Sequence, residues 1–165
     1  MSILRGTILC NKIVRCQLRT VLDDAKTWFL HAVVYQDKLR VILTEGFVGN
    51  ENETEDLCIG DHTIKGVRLI DISDESRLFV VRFPEIVAWQ VVDESFTSFD
   101  EYEQRDDNGV LQSLVRSKYL DYVKSNHGWF EDAIGPAKHY RVWTENEVVD
   151  VIACEPPTVE PWVRT

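Results

Sequence analysis

Five carboxylates, Asp93, Glu94, Asp100, Glu101 and Glu103, and two histidines, His127 and His139, are the side chains of this chain whose types and spacing could do chemistry. Carboxylates combined with imidazole build hard-ligand metal sites and supply general bases. Carboxylates close in sequence are also common on any acidic surface, so two readings stand side by side. One is a metal-dependent enzyme using a carboxylate and histidine cluster; the other is a solvated acidic face offered to a partner. His139 enters a strand from a Gly135-Pro136 loop and is the histidine most worth testing. His31, inside Phe29-Leu30-His31-Ala32-Val33, alternates onto one face of a strand and reads as a structural histidine. His62, beside Asp61, reads as exposed. The sequence holds no phosphate loop, no dinucleotide glycine fingerprint, no Gly-x-Ser-x-Gly elbow and no His-Glu-x-x-His. No cofactor and no metal site is therefore expected from motifs alone.

The aromatic residues divide in the same way. Trp89, alternating within Ile86–Val92, and Trp143 read as core. Trp129 falls with Phe130 in a glycine-containing loop, and Trp162 in a proline-rich tail, where aromatic rings are either pinned to the core or offered to a partner. Cys10 and Cys154 lie among apolar neighbours and read as inert thiols, while Cys10 and Cys16 lack the two-residue spacing of a zinc knuckle.

The elements that must position these groups read as short apolar runs between turn signals, the rhythm of an antiparallel sheet. The runs are Gly6–Cys16, Trp28–Tyr35, Leu39–Thr44, Ile64–Ile72, Leu78–Phe83, Ile86–Val92, Tyr140–Thr144 and Val148–Cys154. Gln36-Asp37-Lys38 and Glu145-Asn146-Glu147 are spaced as hairpin loops, and Pro84 marks a junction between two strands. Val110–Val115 reads as one more strand, followed by a helix over 118–126 with Ser117 as its N-cap and Gly128 at its end. The stretch 45–62 reads as an acidic, solvated loop, and 155–165 as an extended proline-rich tail. Between Asp93 and Asp107 acids dominate, yet Phe96, Phe99 and Tyr102 recur at three-residue intervals, so this segment has rings to pack.

The chain of 165 residues carries 18 Lys and Arg against 28 Asp and Glu, a formal charge of −10. Such a surface repels nucleic acid and anionic membrane, which excludes both as main partners. With 44% hydrophobic residues the chain can fold as a single domain, 1–165, without staples. Met1–Arg5 shows no basic-then-apolar export pattern, so a cytoplasmic protein with reduced thiols is expected.

Four segments carry a resemblance: Ala88–Phe96 with its Asp93-Glu94-Ser95 ending, Ser117-Lys118-Tyr119-Leu120-Asp121-Tyr122-Val123, Lys138–Val142, and Val148–Ile152 before Pro156. Together they resemble a family of small uncharacterised bacterial proteins with a strand ending in Asp-Glu-Ser, a Ser-x-Tyr-Leu helix and a closing hairpin. The resemblance covers about half of the chain and implies no activity. It does imply that Asp93, Glu94, Ser117, Tyr119 and His139 form a common patch.

The expectation is thus an α+β fold, mainly antiparallel sheet or sandwich, with one short helix near residues 118–126. The expected function is a non-catalytic, acidic protein-binding module for a basic partner, in the manner of bacterial immunity proteins that neutralise nuclease toxins. Its binding residues would be Asp93, Glu94, Asp100, Glu101, Glu103, Tyr119, Trp129 and His139. A homodimer joined through an exposed strand edge is a further possibility at this stage.

Overall fold

The computed structural model describes residues 20–49, 54–106 and 109–163. The expected strand Gly6–Cys16, with Cys10 and Cys16, lies outside the described residues. In chain order the strands are β1 (Trp28–Tyr35), β2 (Leu39–Glu45), β3 (Phe47–Val48), β4 (Thr54–Ile59), β5 (His62–Arg68), β6 (Ile70–Asp71), β7 (Leu78–Phe83), β8 (Ile86–Asp93), β9 (Gln104–Arg105) and β10 (Leu111–Arg116). Two helices follow, α1 (Lys118–His127) and the single turn α2 (Phe130–Ala133), and then β11 (Lys138–Trp143), β12 (Glu147–Ala153) and β13 (Thr158–Pro161).

Two antiparallel sheets form a sandwich. One has the order β1-β2-β7-β13, the other β8-β12-β11-β10-β9. The chain crosses from the first to the second between β7 and β8, where Pro84 interrupts the ladder as its missing N–H requires. Alternation sends Leu39, Val41, Leu43, Val81 and Phe83 of the first sheet against Tyr140, Val142, Val149 and Val151 of the second, and Trp28 and Leu22 close the same core. The Trp28 ring stays polar-satisfied there because its Nε1–H donates to the Leu22 carbonyl at 2.8 Å.

Because side chains alternate along a strand, the same β11 and β12 that bury Tyr140 and Val151 send His139, Arg141, Asp150 and Ile152 to the opposite face. Helix α1 covers part of that face. Leu120, Val123 and Phe130 pack with Ile152 and Ala137 in a second, smaller core. Ser117 is the N-cap, its Oγ accepting from the Leu120 amide at 3.0 Å. Among the described residues no helix is long and apolar enough to cross a membrane.

Several local readings are corrected by the fold. Gly128 caps α1 at its C-terminus, as expected, but the residues after it are not a loop, since the chain turns directly into α2 and buries Phe130. Within 45–62, Thr54–Ile59 pairs with His62–Arg68 as a hairpin around Gly60, whose φ of 60° suits the tight turn. Nearly every residue of that hairpin is exposed, including Leu57 and Ile64. The proline-rich tail supplies β13, an edge strand on β7, where proline is tolerated. Trp89 is 38% exposed, lying on the edge strand β8 although in register with the core residue Val151. His31 sits at a register shift in β1 and is exposed, so it is not a buried structural histidine. Cys154 is only half-buried.

Candidate functional site

Six polar side chains meet on the helix-covered face of the second sheet. Asp150 lies directly across from Arg141 in the β11–β12 ladder, and His139 is one step along. Arg141 Nε donates to Asp150 Oδ1 at 2.6 Å, and its two terminal nitrogens form a fork on Glu103 at 2.7 and 3.0 Å. His139 Nε2 lies 2.9 Å from Asp150 Oδ1, and its Nδ1 lies 2.6 Å from Ser117 Oγ. Gln90 Nε2, in register with Asp150 from β8, donates to Asp150 Oδ2 at 3.0 Å. Ser117 Oγ accepts the Leu120 amide and shares a second hydrogen bond with His139 Nδ1, while the Asp150 carboxylate accepts from Nε2–H.

The electrostatics follow from burial. Desolvation raises the Asp150 carboxyl, but hydrogen bonds from His139 and Arg141, together with their charges, outweigh it and hold the group far below the usual carboxylate range. Desolvation likewise lowers Arg141, and the bonds to Asp150 and Glu103 reverse this to a net rise. Burial, with the Asp150 charge as a lesser cause, pushes the Tyr119 phenol up to about 12. The Tyr119 ring meets His139 edge-on at 5.7 Å.

Ser117, His139 and Asp150 are thus linked in the order of a nucleophilic triad. The arrangement nonetheless holds Ser117 as a helix cap. Ser117 and His139 are both fully closed to solvent, and both Ser117 Oγ interactions are internal. Glu103 has both oxygens on Arg141, and both His139 nitrogens have partners. Among the described residues no group of three or more His, Cys, Asp or Glu side chains is arranged to hold a metal ion. The carboxylates and histidines of the enzyme reading do not converge on one cation.

Above this network opens a cleft of about 560 Å³, where Gln90, Ser98, Asp100, Lys118, Tyr119 and Tyr122 surround Arg141 and Asp150. The acidic segment is fastened to it by three ties. Asp100 pairs with Lys118 at 2.6 Å, Tyr102 Oη donates to Asp121 at 2.6 Å, and Glu103 clamps Arg141. Of the eight residues expected to bind, Asp100, Glu103 and Tyr119 line the cleft, and His139 lies sealed beneath it. Its burial rules out direct contact with a partner in this conformation. Asp93 and Glu94 stand at the far end of β8, where Asp93 caps a 3-10 turn, Glu94–Phe96. Glu101 is exposed at the tip of the segment. Trp129, 74% exposed, lies just past the far end of α1, a helix about 15 Å long that begins at the Ser117 cap.

Sequence reasoning singled out neither Arg141 nor Asp150 as site residues. A signal existed: Asp150 is a carboxylate inside the apolar run Val148–Ile152, and such an ion needs a buried partner. Phe96 and Phe99 depart from the expected packing, being 83% and 77% exposed. Phe99 nevertheless stacks on Trp143 with centroids 5.3 Å apart.

Comparison with protein-family profiles, with curated proteins and with solved structures returns no match.

Proposed function

We propose that this protein is a non-catalytic binding module that docks a basic protein partner through the segment 93–106, as an inhibitor of a cationic nuclease or toxin would. One observation carries the reading: Phe96 and Phe99 are held out to solvent within an acidic segment whose Asp93, Glu94, Glu101 and Asp106 stand outside the ion pairs that hold Asp100 and Glu103. Exposed rings supply contact area at low entropic cost, and the surrounding carboxylates, with the −10 net charge, attract and orient a cationic surface. The ties to Lys118, Asp121 and Arg141 hold the segment in place before binding, which lowers the ordering cost. A cytoplasmic setting, with its reduced thiols, fits this reading. So does kinship with the small bacterial proteins resembled in sequence.

The test uses the full chain as immobilised bait beside a Phe96→Ser/Phe99→Ser variant, with cationic nucleases as prey at low salt. Capture by the wild type, release at moderate salt and loss in the variant are expected. Capture that is indifferent to both salt and the double substitution overturns the reading.

A further inference from the structure

A second cavity, of about 390 Å³, lies at the β9–β10 end of the same sheet and is lined by Phe99, Arg105, Val110, Gln112 and Trp143. Gln112 is 5% exposed. Its Nε2 donates to the Gly109 carbonyl at 3.0 Å, which fixes the orientation of the amide, and its Oε1 has no hydrogen-bond partner among the described residues. A buried acceptor without a donor is rare and costly in a folded protein. The cavity beside it has aromatic walls: the Phe99 and Trp143 rings lie within 14° of parallel. Arg105 extends its guanidinium over both rings, 4.5 Å from the Phe99 centroid and 5.4 Å from that of Trp143.

These features select an occupant. The orphan carbonyl asks for a donor and repels an acceptor. The Arg105 charge, with Arg141 behind it, disfavours a cation; desolvation and the Arg141 charge already lower the Arg105 pKa. The stacked rings favour a flat, polarisable group whose face can also meet Arg105. We propose that this cavity binds a neutral planar aromatic ring with an N–H on its edge, of the indole type, which donates to Gln112 Oε1 and stacks against Phe99. Gln112 Oε1 is closed to water, so entry requires a wall to move. The inference goes beyond the docking reading and does not depend on it. The ring can be a free small molecule or a tryptophan side chain of a partner.

The experiment is an NMR titration of the full chain with indole and with 1-methylindole, which has the same shape and no donor. The Gln112 side-chain amide and the Trp143 indole N–H are the reporters. Indole is expected to shift both, and 1-methylindole to bind about tenfold more weakly, the scale of one lost hydrogen bond to a buried acceptor. Gln112→Met, its fold checked by circular dichroism, is expected to erase that preference, and Phe99→Ala to weaken both ligands. The tripeptide Lys-Trp-Lys separates the sources: tighter binding than indole points to a partner's side chain, and weaker binding to a free small molecule. Equal affinity of the wild type for indole and 1-methylindole overturns the proposal without recourse to any variant. So does the absence of shifts at both reporters up to the solubility limit of indole.

Discussion

His139 and Asp150 meet diagonally across the β11–β12 ladder, Nε2 to Oδ1 at 2.9 Å, with Arg141 on the same carboxylate oxygen at 2.6 Å. An imidazole and a guanidinium converge on one buried anion, and the far side of the imidazole holds the cap of α1. The contact therefore joins the helix to the sheet as well as strand to strand.

Asp150→Asn keeps the volume of the side chain and removes its charge, leaving Arg141 with Glu103 alone. Breaking a buried pair from one side costs about 3–5 kcal/mol. The substitution is expected to lower the urea midpoint accordingly with the m-value unchanged; a midpoint equal to that of the wild type would refute the role given to Asp150.

Acid should unfold the protein through the same group. The folded-state pKa of Asp150 is depressed, as is that of Glu45, which forms a fork with Arg77. A depressed carboxylate contributes stability that is fully present above its unfolded pKa, about 4, and is lost as the pH falls through the folded value. Urea midpoints are expected to stay level between about pH 7 and 5 and to fall steadily below about pH 4.5. The decline should be shallower in Asp150→Asn, because one of the depressed carboxylates is gone.

Ser117→Ala removes the helix cap and the hydrogen-bond partner of His139 Nδ1 together, for a loss of about 2 kcal/mol. An active-site fluorophosphonate provides the companion measurement. Ser117 is fully buried and already hydrogen-bonded, so no label is expected at this residue. Stoichiometric labelling at Ser117 would return the chain to the enzyme class.

Phe96→Ser is expected to change stability by no more than about 0.5 kcal/mol, because a ring 83% exposed contributes little packing. Its effect should be confined to partner capture, read as a loss of bound prey at equal bait loading.

Hydrogen exchange should divide the molecule. The β4–β5 hairpin has exposed residues on both faces, and a two-stranded ribbon is marginal without cover. Its amides are expected to exchange orders of magnitude faster than those of β11 and β12, whose side chains are buried on both faces. Equal protection would show that something covers the hairpin in solution.

Patterns of local origin could be read from the residues alone. The alternation of apolar side chains in β1, β2, β7, β8, β11 and β12, the hairpin loop 36–38 and the Ser117 cap depend on neighbours within a few positions, as does the strand before α1. Hence the antiparallel α+β class, with its short helix beginning at Lys118, was legible. The site was legible only in fragments. Gln90, Glu103, Ser117, His139, Arg141 and Asp150 come from three strands, a loop and a helix cap, and their meeting depends on the register of β12 between β8 and β11. A slip of β12 by one residue would turn Asp150 into the sandwich core, away from His139 and Arg141. Likewise the fork from Arg141 takes Glu103 out of the pool of available acids, while Phe96 and Phe99, spaced as if to pack, are left outside. Residue types and spacing determined which elements form, because those preferences act over a few neighbours. Which charges neutralise each other, and which rings face water, was decided by tertiary pairing across tens of residues, where burial converts an acidic side chain into either a partner or a surface.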